Sequence, residues 1–172
     1  MIFHCDLKQV LLNLDMKETL SAQYQLTRDA RSVLISYVGS MPQENFIRSH
    51  PEVGNGGSIR NLLVHINNSY HGWIMKFAFK EPFQKRVFTD LVTLKDCEEY
   101  FELTDKLVKR FIDHFDNQYD QPLTGQLASR DFTVTPLQIF MHVVTHEFHH
   151  KGQILVLGRM WGYEPVDTDV LR

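Results

Sequence analysis

Residues 135–162 read TPLQIFMHVVTHEFHHKGQILVLGRMWG. Thr135 is a good N-cap, and Pro136 suits the first helical position, where no backbone N–H is needed. Gly162 ends the run. Between these marks, at about 100° per residue, Ile139, Val143, His146, His150, Ile154 and Leu157 fall on one stripe. Gln138, His142, Thr145, His149 and Gln153 fall on a neighbouring polar stripe. The stretch predicts one long amphipathic helix in which two histidines, one turn apart, occupy positions that belong to core residues.

Burying two imidazoles leaves four ring nitrogens to satisfy. Each ring can hydrogen-bond to a neighbouring helix, or one divalent ion can take a nitrogen from both. Neutral imidazole is the commonest metal ligand, and i,i+4 spacing puts both rings on one ion, so the metal reading is favoured. His146, Glu147 and His150 also spell H-E-x-x-H, the zinc-protease signature. The protease reading fails for want of its third ligand. Gly152 comes two residues after His150, Val156 stands six after it, and Glu164 is the only later glutamate. Glu147 projects about a quarter turn off the histidine stripe and lies four before Lys151, a favourable pair along one helix.

Working outward, three more long helices are predicted. The first runs from about Leu14 to Val38, ended by Gly39 and Pro42. The second runs from an N-cap at Ser58 to about Phe79, ahead of Pro82. The third opens at Thr93 with Asp96 three residues on, resembling a capping box, and continues to about Phe115. The connections between them are long enough to be functional and to permit crossovers rather than a plain up-down-up-down bundle. Leu127 to Val134 has the composition to pair as short strands, and Val166, Val170 and Leu171 call for a packed tail.

A third ligand must come from another helix. His4 and His50 fall in loops or near the terminus, and His114 sits in a last helical turn, where a cation suits the helix dipole. Helix two offers His65 and His71. Periodicity does not separate them firmly. Ser69 and Gly72, small residues on the His65 stripe, leave room for a cleft and favour His65, whereas His71 projects away from the main apolar stripe.

Composition bounds the function. The 172 residues carry a net charge of −3 and no dense Lys/Arg run, which argues against nucleic acid as the main partner. Hydrophobic content of 43% and charged content of 23% are ordinary for a soluble globular chain, and the length suits one domain over 1–172. Cys5 and Cys97 form no C-x-x-C pair, so a disulfide framework is not expected and a reducing compartment fits. The first twenty residues interleave Asp6, Lys8 and Asp15 with apolar residues, unlike a signal peptide, and no stretch predicts a membrane span. A cytoplasmic location is the expectation.

Two blocks, SIRNLLVHINNSYHGWI at 58–74 and HVVTHEFHHKGQILVLGRMWGYEP at 142–165, resemble the DinB/YfiT-like family. The second is similar to that family's His-x-x-x-His-x-Gly-Gln-Ile segment. The resemblance implies an all-α four-helix bundle in up-down-down-up order. It implies zinc or nickel held by three histidines, here His65, His146 and His150, and a homodimer. Several relatives use a low-molecular-weight thiol as cosubstrate.

Three histidines leave a metal position open, as catalytic sites do. The leading expectation is a thiol-dependent S-transferase acting on a small electrophile. The rivals are a hydrolase using metal-activated water and a non-catalytic metal-binding stress-response protein. His142, His149, Gln153, Tyr70 and Trp73 are candidates for the surrounding shell or pocket, with Phe77 and Arg159 behind them. No catalytic acid or base is assigned, and no ring partner can be named for the ligand histidines.

Overall fold

Side chains fix where the helices begin. Thr135 Oγ1 accepts from the Gln138 N–H at 3.2 Å while Gln138 Oε1 accepts from the Thr135 N–H at 2.9 Å. Thr93 and Asp96 make the same reciprocal pair, and Ser58 Oγ accepts from the Asn61 N–H. Each closes orphan donors of a first turn. The computed structural model describes residues 3–54 and 57–172, with side chains from residue 16 onward. His4 and Cys5 therefore lie outside the described side chains.

Helix α1 spans Phe3–Gly39, starting well before the predicted Leu14, and a short α2 spans Gln43–Ile47. Helix α3 spans Ile59–His71 and continues as a π-helical segment, Gly72–Ala78. A 3-10 turn, Phe88–Asp90, precedes α4 at Leu94–His114. Strands β1, Leu123–Leu127, and β2, Arg130–Val134, pair antiparallel, and α5 spans Pro136–Met160. The hairpin starts four residues ahead of the predicted Leu127. Its turn at Ala128 and Ser129 has φ of 51° and 62°, the left-handed pair that a two-residue hairpin loop needs.

Side-chain pairs give the helix directions. Lys17 meets Asp113 and Arg28 meets Asp105, so α1 and α4 run antiparallel. Arg31 meets Glu147, and Tyr37 packs where Gly158 leaves room for it, so α1 and α5 run parallel. Asn68 meets Tyr100 and Phe79 stacks on Phe115, so α3 and α4 run parallel. His65 meets His150 and Trp73 meets His142, so α3 and α5 run antiparallel. The order is up-down-down-up, as the resemblance implied.

The core fills the space between these four helices, with Leu20, Leu34, Leu62, Ile66, Phe77, Val108, Phe111, Ile139, Phe140 and Ile154 all buried. Helix α3 is covered nearly all round, including Asn67, Asn68 and His71. This corrects the projection of His71. The ring is 8% exposed because the polar side of α3 packs on α4, where His71 Nε2 lies 3.1 Å from Thr104 Oγ1. Thr104 in turn donates to Asn67 Oδ1 at 2.6 Å, so the buried polar groups satisfy one another. The tail is corrected too: Val166 and Thr168 pack inward, but Leu171 is 88% exposed.

Candidate metal centre

The antiparallel contact between α3 and α5 brings three imidazoles together. His65 Nε2 and His146 Nε2 are 3.2 Å apart, and His150 Nε2 is also 3.2 Å from His146 Nε2. One ring nitrogen from each of the three lies within 4.8 Å of the others. His150 is buried, and His65 and His146 are half-buried. A tetrahedral zinc with Zn–N near 2.0–2.1 Å separates its ligand nitrogens by about 3.3 Å. The three-imidazole donor set and the two 3.2 Å separations suit such an ion.

The rings stay neutral, as ligands must. Burial, then the neighbouring His150 and Lys85, lowers His65 to about 4. Burial and the surrounding histidines lower His146 to about 3. His150 is lowered by burial, against which the Gln153 hydrogen bond pulls upward. That bond, Gln153 Oε1 to His150 Nδ1 at 2.7 Å, makes Nδ1 the donor and leaves the Nε2 lone pair facing the cluster. His146 Nδ1 is buried with no hydrogen-bond partner among the described residues.

The other sequence candidates separate. His142 is exposed, its ring 4.9 Å from Trp73 and 5.7 Å from His146, so both His142 and Trp73 form one wall of the site. His149 is exposed at the rim, 3.3 Å from Gln153 Nε2. Phe77 is core, and Arg159 is an exposed residue of the last turn. Tyr70 does not reach the cluster. It is fully buried and its hydroxyl donates to Glu147 Oε2 at 2.7 Å.

The π segment explains how Trp73 reaches this wall. The Phe79 N–H bonds to Ile74 O, five residues back, at 2.9 Å, giving the wider turn of a π-helix. Trp73 then packs edge-on against Phe132 of the hairpin at 5.0 Å. Lys80, at φ 58°, ends the segment and donates to Thr124 O at 2.7 Å, tying β1 down beside it. Nothing in the apolar periodicity of residues 58–79 signals this change of pitch.

Glu147 holds the largest surprise. It is fully buried and turned away from the histidines. Arg31 grips it with two hydrogen bonds of 2.9 and 3.0 Å, and Lys151 sits 3.3 Å away, itself 1% exposed. Burial alone pushes the Glu147 carboxyl up, but Arg31 and Lys151 outweigh it and hold the carboxyl below its ordinary range. Arg31 also bonds Asp105 at 2.7 Å, and its guanidinium lies 4.2 Å over the Phe101 ring. The pairing with Lys151 was legible from spacing. Arg31 was not, although an arginine between Thr27 and Leu34 on the buried side of α1 was the available signal.

No helix among the described residues is long and apolar enough to cross a membrane. A curated relative, Protein DinB of Bacillus subtilis (strain 168), is 27% identical over 160 residues, covering 85% of this chain and 88% of that one. The DinB family matches residues 16–172, from the described side chains of α1 through the tail after α5. With its helix order and its three-histidine cluster, the chain belongs to the DinB family.

Proposed function

We propose that the chain is a divalent-metal-dependent enzyme that presents a small thiol to an electrophilic substrate, with His65, His146 and His150 holding the ion. The observation that carries this reading is the convergence of three neutral ring nitrogens with no carboxylate beside them. Among the described residues none joins the cluster, and Glu147, the one acid on the spot in sequence, is committed to Arg31. A hydrolase needs a group to manage the proton of its water, whereas a thiol meeting a divalent ion loses its proton outright. When bound, zinc or nickel would supply that acidic position.

The chain's own residues would do the rest. Gln153 fixes the His150 tautomer so that Nε2 points inward. Trp73 and His142 shield one side from water. The thiol sulfur forms the new bond to carbon, the leaving group departs with its electron pair, and the thiol proton passes to solvent. Homodimerisation belongs to the same proposal and is read by sedimentation of the full chain.

The test is an assay of metal-loaded protein with a thiol and an electrophilic aryl halide. The reading expects turnover that needs both metal and thiol. Metal-dependent turnover of an ester without thiol would favour the hydrolase instead. Tight metal binding with no turnover across a broad panel would favour a non-catalytic role.

A further inference from the structure

A cleft of about 290 Å³ opens beside the histidine cluster, with His65 in its wall. Val64, Val87 and Phe88 give it an apolar lining, Asn61 and Lys85 stand at polar positions, and no acidic residue borders it. This volume sits at the small end of ligand sites and suits a metabolite rather than a polymer.

The outer wall is fixed rather than floppy. Asn68 on α3 clamps the backbone of Arg86 from both sides, its Nδ2 donating to Arg86 O at 2.9 Å and its Oδ1 accepting from the Arg86 N–H at 2.9 Å. Tyr100 donates to the same Oδ1 at 3.0 Å, which orients the amide. Lys85 is thereby carried beside His65.

The charge there is unbalanced. Neither Lys85 nor Arg86 makes an ion pair among the described residues, and the Arg86 guanidinium lies 4.3 Å over the Tyr100 ring instead. The whole chain is net negative at −3, so this acid-free basic cleft runs against the overall balance. Lys85 and His65 line the same cleft. A cation held beside a metal ligand repels the ion, so it is a liability there unless an anion accompanies the metal.

We propose that the cleft seats a carboxylate carried by the thiol cosubstrate, with Lys85 as its counter-charge, while the sulfur reaches the histidine cluster. His65 belongs to both the cleft and the cluster, and this shared wall is what would let one molecule span them. This rests on the metal-and-thiol reading above and adds the charge of the cosubstrate. An exposed lysine–carboxylate pair contributes up to about fivefold in affinity.

The test uses the full chain loaded with cobalt(II), whose visible spectrum reports sulfur ligation. The probes are 3-mercaptopropionate and 3-mercaptopropionamide, which share the thiol and differ in the carboxylate. The acid is expected to bind about fivefold more tightly than the amide. Lys85→Gln is expected to remove that preference while leaving the amide unchanged, and Lys85→Glu to reverse it. Equal binding of the two probes overturns the inference. So does a preference that survives Lys85→Gln, because the carboxylate then contacts the ion itself. Failure of cobalt to bind sinks the metal reading and takes this inference with it, whereas bound cobalt without a Lys85-dependent preference sinks the cleft alone.

Discussion

Two faces of α5, a quarter turn apart, solve opposite electrostatic problems with adjacent residues. His146 and His150 present neutral rings whose nitrogens converge with His65 across the α3 contact. Glu147 and Lys151, each next in sequence, carry opposite charges into the neighbouring seam, where the Glu147 carboxylate pairs with both Lys151 and Arg31. On one face the converging ring nitrogens have only one another for partners among the described residues, and His146 Nδ1 has none. The other has every charge answered. The difference separates a surface that waits for a cation from one that already contains its own.

The largest effect expected from breaking this contrast is on stability. Glu147→Gln leaves Lys151 buried without its anion and Arg31 with Asp105 alone, which costs about 3–5 kcal/mol. For a chain of this size the melting temperature falls by roughly 6–20 °C. Arg31→Met should cost a similar amount, and the double variant clearly less than the sum, since the two partners share one interaction. Thermal denaturation of the four proteins checks this, and additive losses would show that the pair is not coupled.

Next in size is a difference in acid response. The folded chain keeps His65 and His71 neutral down to about 4 and His146 down to about 3, against an ordinary 6.5. Between pH 6.5 and 4 the unfolded chain binds protons that the folded chain refuses, so metal-free protein loses stability as pH falls through that window. Glu147 behaves differently. Its carboxyl is held below the ordinary 4.5, so its contribution is intact throughout that drop to 4.5 and is lost only beneath it. Melting curves of metal-free protein from pH 7 to 4.5 should therefore decline, and a flat profile would contradict the neutral-histidine face.

Gln153→Ala removes the acceptor that orients His150 and should weaken metal binding by about 10- to 100-fold with little change in melting temperature of the metal-free chain. Competition with a chelator measures it. Smallest of all is Arg28→Ala. Arg28 pairs with Asp105 at 3.0 Å but lies at the exposed edge of the charged seam, so its loss should cost under about 1 kcal/mol.

The same contrast explains what sequence could convey. Histidines that interrupt an apolar stripe are visible by projection, because both lie on one helix and their spacing is local. The cap signals at Ser58, Thr93 and Thr135 are legible for the same reason, each resting on a residue type or a partner within three positions. Arg31 and Glu147 are separated by 116 positions, and no local spacing joins them. Projection places His71 wrongly because it assumes that one side of a helix faces water, whereas α3 is covered nearly all round. The π segment leaves no local mark in the sequence, and contacts with the hairpin at Phe132 and Thr124 accompany the wider pitch. Asn68, which pins Arg86, reads in sequence as one more helix amide.

The most direct measurement is metal content and affinity of the purified chain beside His146→Ala and Glu147→Gln. One divalent ion per chain is expected, lost in His146→Ala and retained by the folded fraction of Glu147→Gln. A chain that binds no stoichiometric ion, or a His146→Ala variant that keeps its full complement, would contradict it.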